Sequence, residues 1–189
     1  MSKASKSHYA VLGILGLGAR SGYDIKKMTD LSTRHFWAEN YGSLYPTLKK
    51  LVQEGLATVE SQAQDGKPDR KVYTVTDAGR EVLRGWLELP VHETPPRNEL
   101  LLKLFLGRQS TPEVSAAHLR RFRAEQTELI STYEGLERWL ETEQAGDPNL
   151  PYWLLTLSYG RVQAEALRRW SEVSLETLQS SATRKAKDD

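Results

Sequence analysis

The spacing of apolar residues changes sharply at Gly55, and this change limits the folds that the chain can adopt. Before Gly55, apolar residues recur every three or four positions and predict a helix over 41–54 that stops at the glycine. After it, the period falls to two over 56–61 and over 71–75, with Asp-Gly and Pro turn signals between the two runs. The sequence therefore predicts a helix that leads directly into a β-hairpin.

Two helices are predicted before this unit and one after it. The run 9–17 is apolar nearly all round and predicts a buried first helix, and Ser21 or Gly22 can open a second one. After the hairpin, Thr76 offers an N-cap for a fourth helix. The order helix, helix, helix, hairpin, helix is typical of a winged helix-turn-helix domain, which we assign to residues 1–89.

The rest of the chain is predicted to be wholly helical. Three prolines within 90–96 cannot continue a helix and indicate a linker. Residues 97–180 are assigned to a helical dimerisation domain, and the polar tail 181–189 is expected to be disordered because it has no apolar period. The predicted fold class is therefore mainly α with a small β-wing, a winged helix-turn-helix domain followed by long antiparallel helices.

The helical domain is predicted to contain a short helix over 97–105 and two long helices that begin near Pro112 and Pro151. One face of the first long helix follows a coiled-coil seam with a single polar member: Leu119, Phe122, Gln126, Leu129, Tyr133, Leu136 and Leu140. The second long helix carries its own apolar stripe: Leu155, Tyr159, Val162, Ala166, Trp170 and Val173. We expect the two helices to pair in antiparallel fashion, and a second subunit can add two more.

The second long helix also carries leucines beside its main stripe, more than one partner helix can cover. This surplus predicts a homodimer. The expected interface residues are drawn from both long helices: Leu129, Tyr133, Leu136, Leu140, Leu155, Val162 and Trp170.

Composition excludes several classes of function. The chain of 189 residues has no cysteine, which excludes disulfides, thiolate catalysis and thiolate metal sites. It contains no P-loop, nucleophile-elbow or Rossmann motif, so we predict no catalytic residues and no enzyme. The four histidines lack metal-site spacing, and neither a metal nor a cofactor is expected. No apolar run reaches membrane-spanning length, which favours a cytoplasmic protein.

Charge points to a local nucleic-acid surface. Residues 1–90 carry 13 Lys and Arg against 10 Asp and Glu, whereas residues 91–189 carry 13 against 15. Hydroxyl, amide and cationic groups suited to phosphates and base edges gather in the third helix and the hairpin: Asn40, Tyr41, Ser43, Tyr45, Thr47, Lys49, Lys50, Lys67, Arg70 and Lys71. These residues are predicted to bind double-stranded DNA. An ordinary solvated face remains the alternative for the lysines, and core packing remains the alternative for Tyr45.

Four aromatic residues have two open interpretations. Trp86, Trp153, Trp170 and Tyr159 can line a pocket for a small hydrophobic or aromatic effector at a dimer centre, or they can serve core and interface packing.

Three blocks of the first half resemble the PadR family of bacterial transcriptional regulators: 42–51, Gly55-Leu56 and 70–79. Residues 12–15 and 21–25 look like the first two helices of the same family, and 99–105 is similar to the helical C-terminal domain of its longer members. One departure is visible, since the family often has Ser where this chain has Asn40.

The resemblance implies a homodimer whose C-terminal helices interlock and whose winged domains straddle a pseudo-palindromic operator. Repression is the commoner outcome in the family, and the small molecules to which members respond differ widely. Because the winged-helix fold also occurs in protein-interaction adaptors, an adaptor that does not bind DNA is the alternative function.

Overall fold

The computed structural model of the protein describes residues 6–18, 20–31, 37, 41–64, 67–91 and 97–188. The chain divides into two compact units, Met1–Glu93 and Thr94–Asp189, which we call the winged domain and the helical domain. The division falls within the 90–96 segment in which the sequence predicts a linker.

The winged domain has the element order that the sequence predicts, with one additional short strand. Its elements are α1 (Lys6–Gly16), β1 (Arg20–Ser21), α2 (Gly22–Leu31), a 3-10 turn (Tyr41–Ser43), α3 (Leu44–Gln53), β2 (Ala57–Gln64), β3 (Lys67–Val75) and α4 (Asp77–Leu87). The strands form one antiparallel sheet in the order β1-β3-β2. The β2–β3 hairpin is the wing.

The strands extend further than apolar alternation predicts. Pairing runs from Ala57↔Val75 to Gln64↔Lys67, so polar residues near the tip are held by main-chain bonds rather than by an apolar face. The short strand β1 pairs Arg20 with Tyr73, and two residues are too few to show a period in the sequence.

The core of the winged domain lies where α1, α2 and α3 meet the sheet. Leu12, Leu15, Ile25, Leu48 and Leu51 are almost fully buried there. Each comes from the apolar face of an amphipathic or wholly apolar helix, so burying these side chains fixes how far each helix is rotated about its axis.

Gly55 ends α3 in a left-handed conformation with φ of 71°. Its N–H donates to the Val52 carbonyl at 3.1 Å, and the Leu56 N–H donates to the Leu51 carbonyl at 2.9 Å, the pair of bonds that defines a Schellman motif. The Thr76 hydroxyl donates to the Gly55 carbonyl at 2.7 Å and accepts from the Gly79 N–H at 3.1 Å. One threonine thus caps α4 and ties its start to the end of α3.

The helical domain consists of α5 (Glu99–Phe105), a 3-10 turn (Gly107–Gln109), α6 (Pro112–Glu143) and α7 (Leu150–Asp188). The helices α6 and α7 are antiparallel, because one core cluster joins Leu119 to Leu175 and the other joins Tyr133 to Leu157. The predicted seam of α6 therefore faces α7, with Leu119, Gln126 and Tyr133 buried along it.

Most of the stripe predicted for α7 does not pack on α6, although its member Trp170 packs against the cluster of Leu119 and Leu175. The buried positions of α7 are Leu157, Ala164, Ser171 and Leu175, whereas the predicted stripe leaves four large side chains exposed: Leu155, Tyr159, Val162 and Val173. The helix is apolar on more than one side, so its sequence does not specify which side meets α6.

Two other predictions differ from the structure of the helical domain. Tyr133, predicted at the subunit interface, is only 7% exposed and packs so closely on Gly160 that a Cβ there would lie 2.6 Å from its ring, so it lies in the core between α6 and α7. The tail predicted to be disordered continues α7 as far as Asp188, because residues 181–188 contain neither glycine nor proline to end a helix.

Within the described parts of the chain, no helix is both long and apolar enough to span a membrane. The same residues contain no group of three or more His, Asp or Glu side chains that could hold a metal ion.

His8 is the one histidine in the described core of the winged domain. It is 6% exposed, and neither ring nitrogen has a hydrogen-bond partner. Burial lowers its pKa most, and the nearby Lys50 charge lowers it further. The Glu54 carboxylate, whose Oε2 is 4.0 Å from Nε2, acts in the opposite direction without reversing the shift. The imidazole is therefore neutral at pH 7.

This burial predicts a loss of stability in mild acid. The unfolded chain protonates His8 near the ordinary value of 6.5, whereas the folded chain resists protonation until a lower pH. Below pH 6.5 the unfolded state thus binds more protons, and the free energy of unfolding falls as the pH falls towards the folded pKa. Urea unfolding between pH about 7.5 and about 5.5 should show this slope, and His8→Leu should flatten it. An unchanged slope in the variant would show that other groups cause it.

Candidate nucleic-acid interface

Helix α3 has one buried face and one exposed face. Leu44, Thr47, Leu48 and Leu51 are buried, while Tyr45 is 62% exposed and Lys49 is exposed beside it. This division follows from the 100° turn per residue, which places positions three and four apart on one side. The exposed side carries a phenol and a cation, groups that can reach nucleic-acid bases and phosphates.

Thr47 is a correction to the predicted DNA-binding set. It is only 7% exposed and lies with Val11, Ile25 and Thr29 around a small interior gap. Its hydroxyl suggested a surface role, but its spacing from Leu44 and Leu51 places it on the core face.

Tyr45 is neither buried in the core nor isolated on the surface. Its ring lies against Gly22 at the start of α2, where a Cβ would be 2.7 Å from Tyr45 Cε1. Tyr73 of β3 lies nearby, and burial, with a smaller contribution from Tyr45, raises the pKa of Tyr73, which therefore stays neutral. Gly22 thus gives Tyr45 room to lie flat while its phenol stays exposed.

Arg70 of the wing is held by an acidic residue of α2. Its guanidinium forms an ion pair with the Asp24 carboxylate, which is about one quarter exposed. The same carboxylate accepts the Ser21 N–H at 2.9 Å and the Ser21 hydroxyl at 2.8 Å, and the Asp24 N–H donates back to that hydroxyl at 3.2 Å. These reciprocal bonds are a capping box at the N-terminus of α2.

The bonds at Asp24 act together on its pKa. Burial raises the pKa of Asp24, but the Ser21 hydrogen bonds and the Arg70 charge outweigh it and lower the pKa below its usual value. Asp24 is therefore ionised at neutral pH, and Arg70 is not a free cation.

The exposed face of α3, the start of α2 and the wing together line one open cleft of about 940 Å³, which we call the α3–wing cleft. Its cationic members are Lys49, Arg70 and Lys71, and its acidic members are Asp24 and Asp69. The structure thus places residues predicted from the third helix and from the hairpin on one surface of the winged domain.

The other predicted DNA-binding residues fall into three groups. Lys50 is exposed, with its Nζ 3.8 Å from Glu54 Oε1 in the same helix. Ser43 is half-buried at the start of α3, and its side chain does not cap the helix. Tyr41 and Lys67 are placed by their backbones in the 3-10 turn and at the start of β3, and Asn40 lies outside the described residues.

Two of the aromatic residues predicted to line a pocket have ring partners within their own domains. Trp86 stacks on Tyr9 with ring centroids 4.8 Å apart, and Trp170 meets Phe122 edge-on at 6.2 Å. Trp153 precedes Trp170 by 17 positions on α7, a separation of about 25 Å at 1.5 Å per residue. Trp86 and Trp170 thus have packing partners in their own domains.

A helical core with a cationic hairpin beside its third helix defines the winged-helix DNA-binding regulators. Residues 11–85 match the family described as the transcriptional regulator PadR-like family, and residues 96–179 match the one described as virulence activator alpha C-term. The chain belongs to the PadR family of transcriptional regulators.

A relative compared both by sequence and by structure supports this assignment. The negative transcriptional regulator PadR of Bacillus subtilis (strain 168) is 33% identical over 153 residues, which span 78% of this chain and 84% of the relative. The crystal structure of Bacillus subtilis PadR in complex with operator DNA matches with a TM-score of 0.80 at 27% identity, over 92% of this chain and 99% of that one. The structure of the same regulator in complex with p-coumaric acid matches with a TM-score of 0.72 at 26% identity, over 91% and 98%.

Asp24 and Ser21 are two residues of the site that the sequence does not mark as site residues. The Ser-x-x-Asp spacing at 21–24 is a capping-box signal in the sequence, but nothing local connects it to Arg70, 46 positions away. Only the pairing of the wing with β1 brings the two together.

We expect Asp24→Asn to destabilise the winged domain more than Arg70→Gln does. The first change weakens both the capping box and the ion pair and should cost roughly 1–2 kcal/mol. The second removes only a partly exposed ion pair and should cost less than about 1 kcal/mol. Urea unfolding of both single variants and the double variant measures the difference. Equal losses would mean that the cap contributes nothing.

Proposed function

We propose that this regulator is a sequence-specific repressor that binds a pseudo-palindromic operator as a homodimer and responds to a small molecule. The observation that carries the DNA-binding part is the α3–wing cleft, where Tyr45 and Lys49 of α3 stand beside Lys71 of the wing. The Bacillus subtilis relative supports the proposal, since it is a negative regulator and has been crystallised with operator DNA.

In this proposal, helix α3 recognises the base sequence of the operator. Tyr45 and Lys49 are exposed in its first two turns, which is the part of a recognition helix that meets base edges in the major groove. Ser43 adjoins them at the start of the helix. A DNA phosphate has to compete with Glu54 for the Lys50 ammonium group. We therefore assign Lys50 a weaker role, directed at phosphate.

We assign the wing to phosphate contacts rather than to base recognition. Lys71 is exposed on β3, and Lys67 begins the same strand near the hairpin tip. From the wing, these lysine side chains are placed to neutralise phosphates, and phosphate contacts carry no sequence information. Arg70 is assigned to positioning the wing, because its guanidinium is engaged by Asp24.

We expect substitutions in the two groups to affect DNA binding differently. Lys71→Ala should weaken binding to every duplex and reduce the salt slope by about one unit. Tyr45→Ala and Lys49→Ala should each cost on the order of 1–3 kcal/mol on the operator and relax preference at one position. Operator sequences recovered from a random pool, titrated across a salt series against scrambled duplex, give both quantities.

Lys103→Ala is the matched control for this experiment. Lys103 is a half-exposed lysine of the helical domain, paired with Glu99, and its loss should leave both quantities unchanged. If Lys71→Ala changed the base preference while Tyr45→Ala weakened binding to every duplex alike, the two roles would be reversed. A full-length protein that binds no duplex at any salt concentration would favour the adaptor alternative.

Dimerisation is proposed from the exposed stripe of α7. Leu155, Tyr159, Val162 and Val173 are each more than half exposed and follow helical spacing along one side. A row of large apolar side chains on a water-exposed helix is expected to be covered by a partner. A second copy of α7 provides an equivalent stripe, as a two-fold interface requires. Of the predicted interface residues, Leu155 and Val162 thus remain the strongest candidates.

The wild-type chain should sediment with a mass near twice 21.4 kDa. A Leu155→Glu, Val162→Glu double variant should sediment as a monomer while retaining its helical content, since both side chains lie away from α6. Val114→Glu is the control, because Val114 is exposed but lies near the start of α6. A monomeric wild type, or a double variant that remains dimeric, contradicts the proposed interface.

The small-molecule part rests on the relative crystallised with p-coumaric acid. Of the aromatic residues predicted to bind an effector, Trp86 and Trp170 already have ring partners. Tyr159 lies on the exposed stripe, and Trp153 is half-buried on the same helix. An aromatic pocket built from these two residues requires the partner subunit.

A further inference from the structure

The helical domain contains a cleft that none of the predicted functions uses. It measures about 510 Å³ and lies between the end of α5, the start of α6 and residues 174–178 of α7. Its volume falls within the range typical of small-molecule sites. The lining consists of apolar and uncharged polar residues with a single cation, and it includes Leu104, Arg108, Ser110, Ser115, Ser174 and Leu178. We call it the leucine–serine cleft.

One wall of the cleft is apolar. Leu104, Leu119 and Leu178 belong to the core cluster formed with Ala116 and Leu175, so this wall continues the core between α6 and α7. A ligand with an apolar body can therefore displace water from a surface that is already part of the packed core.

The other wall carries the hydroxyl group of a serine that is mostly buried. Ser115 is only 8% exposed as a residue, yet it lines the cleft. Gly107 keeps the space in front of it open, because a Cβ at that position would lie 3.0 Å from Ser115 Oγ. A hydroxyl in this position can donate a hydrogen bond to a ligand in the cleft and accept one from it.

The cation at the rim is Arg108. No described carboxylate pairs with it, and the cleft lining contains no Asp or Glu. The nearby N-terminus of α6 is already occupied: the Glu113 carboxylate accepts hydrogen bonds from its own N–H and from the Thr111 hydroxyl, which lower the pKa of Glu113. An anion in the cleft would thus be met by Arg108 and the serine hydroxyls rather than by the helix end.

We propose that the leucine–serine cleft binds an amphipathic monocarboxylic acid. The carboxylate pairs with Arg108 and accepts hydrogen bonds from the serine hydroxyls, and the apolar body lies on the leucine wall. A polyphosphate or nucleotide is disfavoured, because one arginine cannot balance several negative charges and the leucine wall offers them no donors. That occupancy changes operator affinity rests on the proposed function, whereas binding itself does not.

The direct test is calorimetry of the full-length protein with octanoate, using octanamide as an uncharged probe of nearly the same shape. Octanoate should bind about tenfold more tightly than octanamide, because only the acid pairs with a cation. Arg108→Gln should weaken octanoate binding about tenfold and leave octanamide binding unchanged. Arg121→Gln is the matched control, since Arg121 is a highly exposed arginine of α6 outside the cleft, and it should change neither affinity.

A second variant tests the pocket without altering charge. Gly107→Ala places a methyl group against the Ser115 hydroxyl and should weaken octanoate and octanamide alike, while circular dichroism confirms that the helices are retained. No octanoate binding by the wild type, equal affinities for both probes, or an Arg108→Gln variant that binds octanoate normally would each overturn the proposal.

Operator titrations with and without octanoate separate the two proposals. Octanoate binding with no operator binding would leave the acid site standing and refute the proposed DNA function. Operator binding without octanoate binding would do the reverse. A change in operator affinity that disappears in Arg108→Gln would establish that the cleft regulates DNA binding.

Discussion

The burial of Leu48 and Leu51 against α1 and α2 is the constraint on which the proposed DNA-binding surface depends. Both side chains are completely buried, so α3 cannot rotate without exposing them. This fixed rotation places Tyr45 and Lys49 outward and Thr47 inward. A rigid helix presents its side chains with the accuracy that base recognition needs, and here the rigidity comes from apolar packing on the opposite side.

The wing is held to this frame at both ends. At its base, the left-handed Gly55 turns the chain from α3 into β2, and Thr76 ties the start of α4 to the same glycine carbonyl. Further along, the ion pair from Arg70 to Asp24 joins β3 to the capped N-terminus of α2. The cations of the wing therefore lie beside α3 because of backbone turns and polar contacts rather than an extended apolar core.

The helical domain distributes its apolar surface differently. The α6 seam buries Leu119 and Tyr133 against α7, but α7 retains a second apolar side that its own chain does not cover. At one end of the pair, polar side chains interrupt the packing and leave the leucine–serine cleft. One helix pair thus offers both a surface suited to a second subunit and a concave site suited to a small molecule.

The sequence by itself determined the order of elements, the helix stop at Gly55, the α6 seam and the family, because periods, turn residues and motifs are local properties of the chain. It identified Tyr45 and Lys49 by residue type but placed Thr47 on the wrong face. The tertiary structure decided that Arg70 pairs with Asp24 and that Leu157, rather than Leu155, meets α6. Both outcomes depend on which surfaces meet in space, and no local pattern encodes a contact between residues 46 positions apart or chooses between two apolar sides of one helix.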